Sequence, residues 1–210
     1  MTAEITPPMH QIKEGTWDMH KQAEGQALEQ HLINGTLPKD KYVENIGQRY
    51  LVHARMDSLL RKAREVEPRL AEIVEDSQFH TDSAKIDLQF FGIVPEEVEP
   101  LPATVNFLAI AQQAYEEKPL YLLGIHYVLE GSTNGARFIA KSLRKAYALE
   151  GMNGTHLLDP YGEQQRSNWM RFVTTANAQE FTAEEMERII HYARLTFTGV
   201  TAIGQAIMPD

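Results

Sequence analysis

Apolar residues in this chain recur at every third or fourth position, segment after segment. No stretch alternates with period two for long enough to make a strand. That spacing admits helices and little else. A proline stands at the head of five segments, where its fixed φ and missing N–H suit a first helical turn. Pro7-Pro8 precedes a stripe of Ile12, Thr16, Met19, Ala23 and Ala27, and Pro38 opens one of Val43, Ile46, Tyr50 and Ala54. Shorter helices are expected over Pro68–Glu75, Ser83–Phe91 and Pro102–Tyr115. A long one should run from Pro119 to Tyr147, and another over Tyr161–Thr175. In the last segment Thr182 and Glu185 make a capping-box pattern ahead of Met186, Ile189, Ile190, Ala193, Phe197, Val200 and Ile207. With no repeat or long linker, residues 1–210 read as one all-α, multi-helical bundle domain.

The formal charge of −9 argues against nucleic acid as the main partner, since phosphate binding needs a basic footprint. Local basic clusters at Arg137, Lys141, Arg144 and Lys145, and at Arg61, Lys62 and Arg64, read first as solvated helix faces, with a docking patch for an acidic partner as the second reading. No apolar run approaches the roughly 18–20 residues that span a bilayer, so no membrane partner is expected. The opening residues lack the layout of a secretory signal. Cysteine is absent, which removes thiolate chemistry and fits a reducing cytoplasm, the expected location.

The segment Leu120–Tyr147 carries the most unusual pattern. At 100° per residue, Gly124, Tyr127, Gly131, Gly135, Phe138 and Ser142 share one side of the helix. Each glycine costs roughly 1 kcal/mol relative to alanine, so something must offset it. One reading is a tight helix crossing through small residues. The other is a flat ligand against bare backbone, with Gly131-Ser132-Thr133-Asn134-Gly135 forming a turn whose hydroxyls, amide and peptide groups hold water or a diatomic molecule.

His20 lies at the edge of the first apolar stripe, with Glu24 one turn on. A carboxylate there can bond one ring nitrogen and leave the other to ligate a metal; the alternative is a boundary histidine with an ordinary i,i+4 partner. His191 and Glu187 point away from their stripe, His31, His53, His80 and His156 show no partner spacing, and His126 sits just off the glycine face, where it could line a pocket edge.

Taken in order, these segments resemble the heme oxygenase family, from about Ile12 to Ile207. Trp17-Asp18-Met19-His20-Lys21-Gln22-Ala23-Glu24 is similar to the family's proximal-helix motif, and Ala84–Gly92 to its mid-chain Asp-Leu-x-Phe segment. Tyr127-Val128-Leu129-Glu130-Gly131-Ser132-Thr133-Asn134-Gly135 resembles its glycine-rich distal helix, in the wording of bacterial members associated with bilin production. The resemblance implies His20 as axial iron ligand, Glu24 as its partner, and Gly131 and Gly135 as the surface against the distal heme face, with Tyr127 beside them. It further implies Lys13, with Arg166 or Arg171, at the heme propionates. Ser132 stands where many members have an aspartate, and Ala136 where a further glycine is common.

The implied activity is oxidative cleavage of heme b, at once cofactor and substrate, by O2 and external electrons to biliverdin, CO and Fe2+, with Gly131, Ser132 and Gly135 at the reacting face. No Gly-x-Gly-x-x-Gly pattern is present, so a ferredoxin or an NAD(P)H-dependent reductase is the expected electron donor, and a bilin-accepting protein a further partner. The alternative is a non-catalytic heme carrier on the same fold, motivated by Ser132. A di-iron oxidase would want Glu-x-x-His pairs and a thiamin-degrading enzyme a cysteine; the chain has neither.

Overall fold

A computed structural model of the chain describes residues 6–209. Among them nine α-helices and four short 3-10 turns occur, and no strand. The helices are α1 (Pro8–Glu24), α2 (Ala27–Asn34), α3 (Lys39–Val66), α4 (Pro68–Ile73), α5 (Thr81–Phe90), α6 (Pro102–Glu117), α7 (Leu122–Tyr147), α8 (Gln165–Asn177) and α9 (Ala183–Ile207). None is long and apolar enough to cross a membrane.

The prolines act as the sequence predicts, with Pro8, Pro68 and Pro102 in the first turns of α1, α4 and α6. Pro119 instead opens a 3-10 turn, Pro119–Tyr121, that leads into α7. The first apolar stripe is not one helix. It breaks at Gly25, and extended Gln26 restarts it as α2. Gly35, at φ 65°, then ends α2, with the Gly35 and Thr36 N–H groups returning to the Leu32 and His31 carbonyls.

Helix α9 is the spine against which α1, α2, α6 and α7 pack. Its predicted capping box is made: the Thr182 hydroxyl accepts from Glu185 N–H, and the Glu185 carboxylate accepts from Thr182 N–H. Tyr42, Phe107, Tyr192 and Ile12 are among the largest fully buried side chains of the core. At Gly124 the α7 and α9 backbones nearly touch. A Cβ there would stand 2.1 Å from the Ile189 carbonyl oxygen and 3.0 Å from Ala193 N. The tight-crossing reading of the glycine face is therefore correct at its first position.

Glu185 does a second job. It accepts from Arg69 at 3.0 Å and Lys118 at 2.6 Å, pinning α4 and the start of the Pro119 turn to α9. The Arg69 bonds lead, and with Lys118 and the Thr182 N–H they hold its carboxyl at about 2, well below the usual 4.5. The stability this adds is whole above pH 4.5 and fades as the pH falls towards 2. Glu185→Ala is expected to lower unfolding stability by about 2 kcal/mol at pH 7, and by much less at pH 3, in denaturant titrations. An equal loss at both pH values would assign the effect to packing alone.

Candidate functional site

Helix α1 is clasped to α9 by Arg194, which donates to the Gly15 carbonyl (2.6 Å) and pairs with Asp18 (3.0 Å). One turn beyond this clasp sits His20. Its ring stacks on Trp17 (centroids 5.5 Å, planes 18° apart) and meets the edge of Phe197 from α9 at 5.9 Å. Nδ1 is buried without a hydrogen-bond partner and lies 3.7 Å from Glu24 Oε1, within ion-pair reach but beyond a hydrogen bond. Yet the side chain as a whole is 45% exposed, so its accessible surface lies on the part of the ring away from Nδ1. Lys13 and Lys21 lie one turn to either side of Trp17 and reach over its indole ring.

The glycine face of α7 divides into two parts. Gly124 is sealed against α9, whereas Gly131 and Gly135 are not. A Cβ on Gly131 would only brush Trp169 at 3.4 Å, and one on Gly135 would meet nothing within 4 Å. Phe138 on the same side is 70% exposed, and Tyr127 is half-buried against Trp169. Burial pushes the Tyr127 hydroxyl above its ordinary pKa. Residues 131–135 are continuous helix and not the expected turn. Their polar side chains fold back on the preceding turn: Ser132 donates to Leu129 O (2.6 Å), Thr133 to Glu130 O (2.6 Å) and Asn134 to Gly131 O (3.1 Å).

The packing of four helices relates these two surfaces. Helix α1 lies on α9, α9 on α7, α7 on α8, and α8 on α1, closing a ring. Met9 N–H donates to Asn177 at one corner, and the edge of Trp169 approaches Gly131 at another. Across this ring α1 and α7 make no extended contact with each other. The open edge of His20 and the bare backbone at Gly131 and Gly135 thus belong to opposite corners of one frame.

The sequence model described as heme oxygenase matches residues 8–205. The chain belongs to the heme oxygenase family. A heme oxygenase from Rhodella violacea is 24% identical over 152 residues, 69% of this chain and 63% of that protein, so the match spans less than two thirds of that relative's length. Heme oxygenase from Leptospira interrogans shares the fold with a TM-score of 0.88 at 22% identity, over 96% of this chain and 100% of that one. So does heme oxygenase-1 from the cyanobacterium Synechocystis, solved in complex with heme, with a TM-score of 0.88 at 21% identity over 97% and 93%.

Within this heme oxygenase fold the two candidate arginines separate. Arg171 is drawn to Glu75 at 2.5 Å and to Asn168 at 3.3 Å, on the α4 side of α8. Arg166 is exposed, about 60° around the helix from Trp169. The structure also revises four histidines. His126 lines no open edge: it is buried edge-on to Phe172 with Nε2 unpartnered, and burial pushes its pKa down to about 4. His156 lies against Asp87 at 3.0 Å, and His80 against Glu130 at 3.2 Å with His53 edge-on beside it. Among the described residues no group of histidine and carboxylate side chains is arranged to hold a metal ion.

Trp17, Phe197 and Trp169 were missed as site residues, because only Trp17 has a local signal, its i,i+3 spacing from His20. Removing that stack frees the imidazole to rotate. Trp17→Leu is expected to let the His20 ring sample a second rotamer, seen as a broadened imidazole signal by NMR, and Trp17→Phe to restore most of the order. An unchanged imidazole signal in the leucine variant would show that the stack does not hold the ring.

Proposed function

We propose that the protein binds heme between α1 and α7 and, with O2 and externally supplied electrons, opens it to biliverdin, CO and Fe2+. The observation that carries this is the pairing across one frame: an imidazole with a shielded Nδ1 and an open far edge, opposite a stretch of helix without side chains. Those residues fit the group. A shielded Nδ1 beside Glu24 leaves Nε2 to ligate, and the empty space over Gly135 suits a flat macrocycle. The Synechocystis relative, solved with heme, supports the same occupant.

When bound, heme supplies the iron that activates O2 and the meso carbon that is oxidised. His20 would hold the iron, with Trp17, Phe197 and Glu24 limiting rotation of its ring. Gly131 and Gly135 would offer backbone with little side-chain cover to the other side. Lys13 and Arg166 supply positive charge at the mouth, where carboxylate groups of the substrate would be oriented outward. Tyr127 and Trp169 close the flank and exclude water. A ferredoxin or an NAD(P)H-dependent reductase delivers the electrons.

One observation favours a carrier instead. The Ser132 hydroxyl donates its proton to the Leu129 carbonyl, so the group standing in the family's aspartate position is occupied within its own helix. A single experiment separates the two readings. Hemin is added to the purified protein, the spectrum is recorded, and ascorbate or a reductase is supplied with oxygen. Conversion to biliverdin is expected; a stable complex that yields no bilin would establish the carrier.

A further inference from the structure

One residue before Gly131, α7 carries a carboxylate that the reaction outlined above leaves unused. The Glu130 side chain has no exposed surface. It accepts from the Tyr161 hydroxyl at 2.9 Å and lies 3.2 Å from His80 Nε2, while Tyr161 and His80 are themselves 3.3 Å apart. These three groups close a triangle contributed by α7, the N-terminal end of α5 and the loop before α8. An ionised carboxylate in a helical core costs several kcal/mol unless it is fully hydrogen-bonded, and leucine would serve packing at least as well. A buried triad of this kind therefore calls for a use.

The charged and titratable groups that face it are few. From α3 come His53, whose ring meets His80 edge-on at 5.5 Å, together with Arg49 and Asp57. Asp57 is engaged by the Thr81 N–H and hydroxyl. His126 stands one turn back on α7, and Glu75 and Arg171 lie beyond Tyr161. Burial raises the Glu130 pKa, but the bond to His80, the nearby His126 ring and the Tyr161 hydroxyl together outweigh it, and the carboxyl stays below its ordinary range. Glu130 is thus a fixed negative charge behind the turn that presents Gly131 and Ser132. His53 is held neutral by burial yet keeps some accessible surface.

We propose that the Glu130–His80–Tyr161 triad sets how readily water on the Gly131–Ser132 face holds its protons, supplying from behind the helix the negative charge that Ser132 lacks. Glu130 acts through that water as a positioning residue, oriented by His80 and Tyr161. The proposal rests on heme binding between α1 and α7, and its test keeps the two separate. The readout is the acid–alkaline transition of the ferric hemin complex, followed by absorption while pH is raised.

Glu130→Gln keeps the shape of the side chain and removes its charge. Loss of a nearby anion makes water easier to deprotonate, so the midpoint should fall by about half a pH unit or more. Ser132→Asp in the same background returns a carboxylate to this face and should bring the midpoint back up. Tyr161→Phe removes one donor that spreads the Glu130 charge and should shift the midpoint upward; it carries the test alone if the glutamine variant does not fold. A midpoint unmoved in every folded variant, with His20 ligation intact, overturns the proposal and leaves heme binding standing. Absence of a hemin complex in the wild-type protein would overturn both.

Discussion

His20→Ala is expected to abolish the nitrogen-ligated hemin spectrum and to lower bilin formation by at least about 100-fold, since disturbing a mere partner of a metal-ligating histidine already costs 10–100-fold. The protein should nonetheless fold. His20 lies within α1 with its ring 45% exposed, and alanine is the better helix former, so the substitution leaves no buried cavity. The clasp that seats α1 on α9 uses Arg194, Asp18 and Gly15, none of which contacts the ring. Loss of function would then be a loss of ligation. The slot between Trp17 and Phe197 offers a check, because added imidazole should enter it and restore part of the spectrum. A variant that still shows a histidine-ligated complex and forms bilin would place the ligand on another helix. His126 is a poor substitute, being sealed against Phe172.

What the sequence made legible follows the range of each interaction. Helix starts were readable where proline or a capping box marks them, as at Pro8, Pro102 and Thr182. The break at Gly25 was not, since Ala23 and Ala27 continue the apolar spacing across it and nothing local separates a bend from an uninterrupted turn. The site divides in the same way. His20 and Glu24 are neighbours on one helix, so their pairing is visible in the spacing. Glu130 and His80 are 50 positions apart, and His156 and Asp87 are 69 apart; no periodicity within one segment reports such contacts. The glycine face is the instructive intermediate. Spacing alone showed that Gly124, Gly131 and Gly135 share a side of α7, but what lies opposite each depends on α9 and α8.

That division yields a pair of alanine substitutions with opposite signs. In Gly124→Ala the new methyl would stand 2.1 Å from the Ile189 carbonyl oxygen, and the obstacle is backbone that no rotamer change can move. Helices α7 and α9 must separate along the main seam of the bundle. A loss of about 3 kcal/mol is expected, the upper part of the range for overpacking, with a fall in Tm of about 10 °C by calorimetry. In Gly135→Ala the methyl meets nothing within 4 Å, so only the helix propensity changes. The hemin-free protein should gain up to about 1 kcal/mol and melt a few degrees higher. With hemin the order reverses: the added methyl stands where the macrocycle needs bare backbone, and affinity should fall although the fold is firmer. Stability and binding would then move in opposite directions at one residue, which a glycine kept for packing cannot do. Unchanged or tighter hemin binding by Gly135→Ala would remove this stretch of α7 from the heme site.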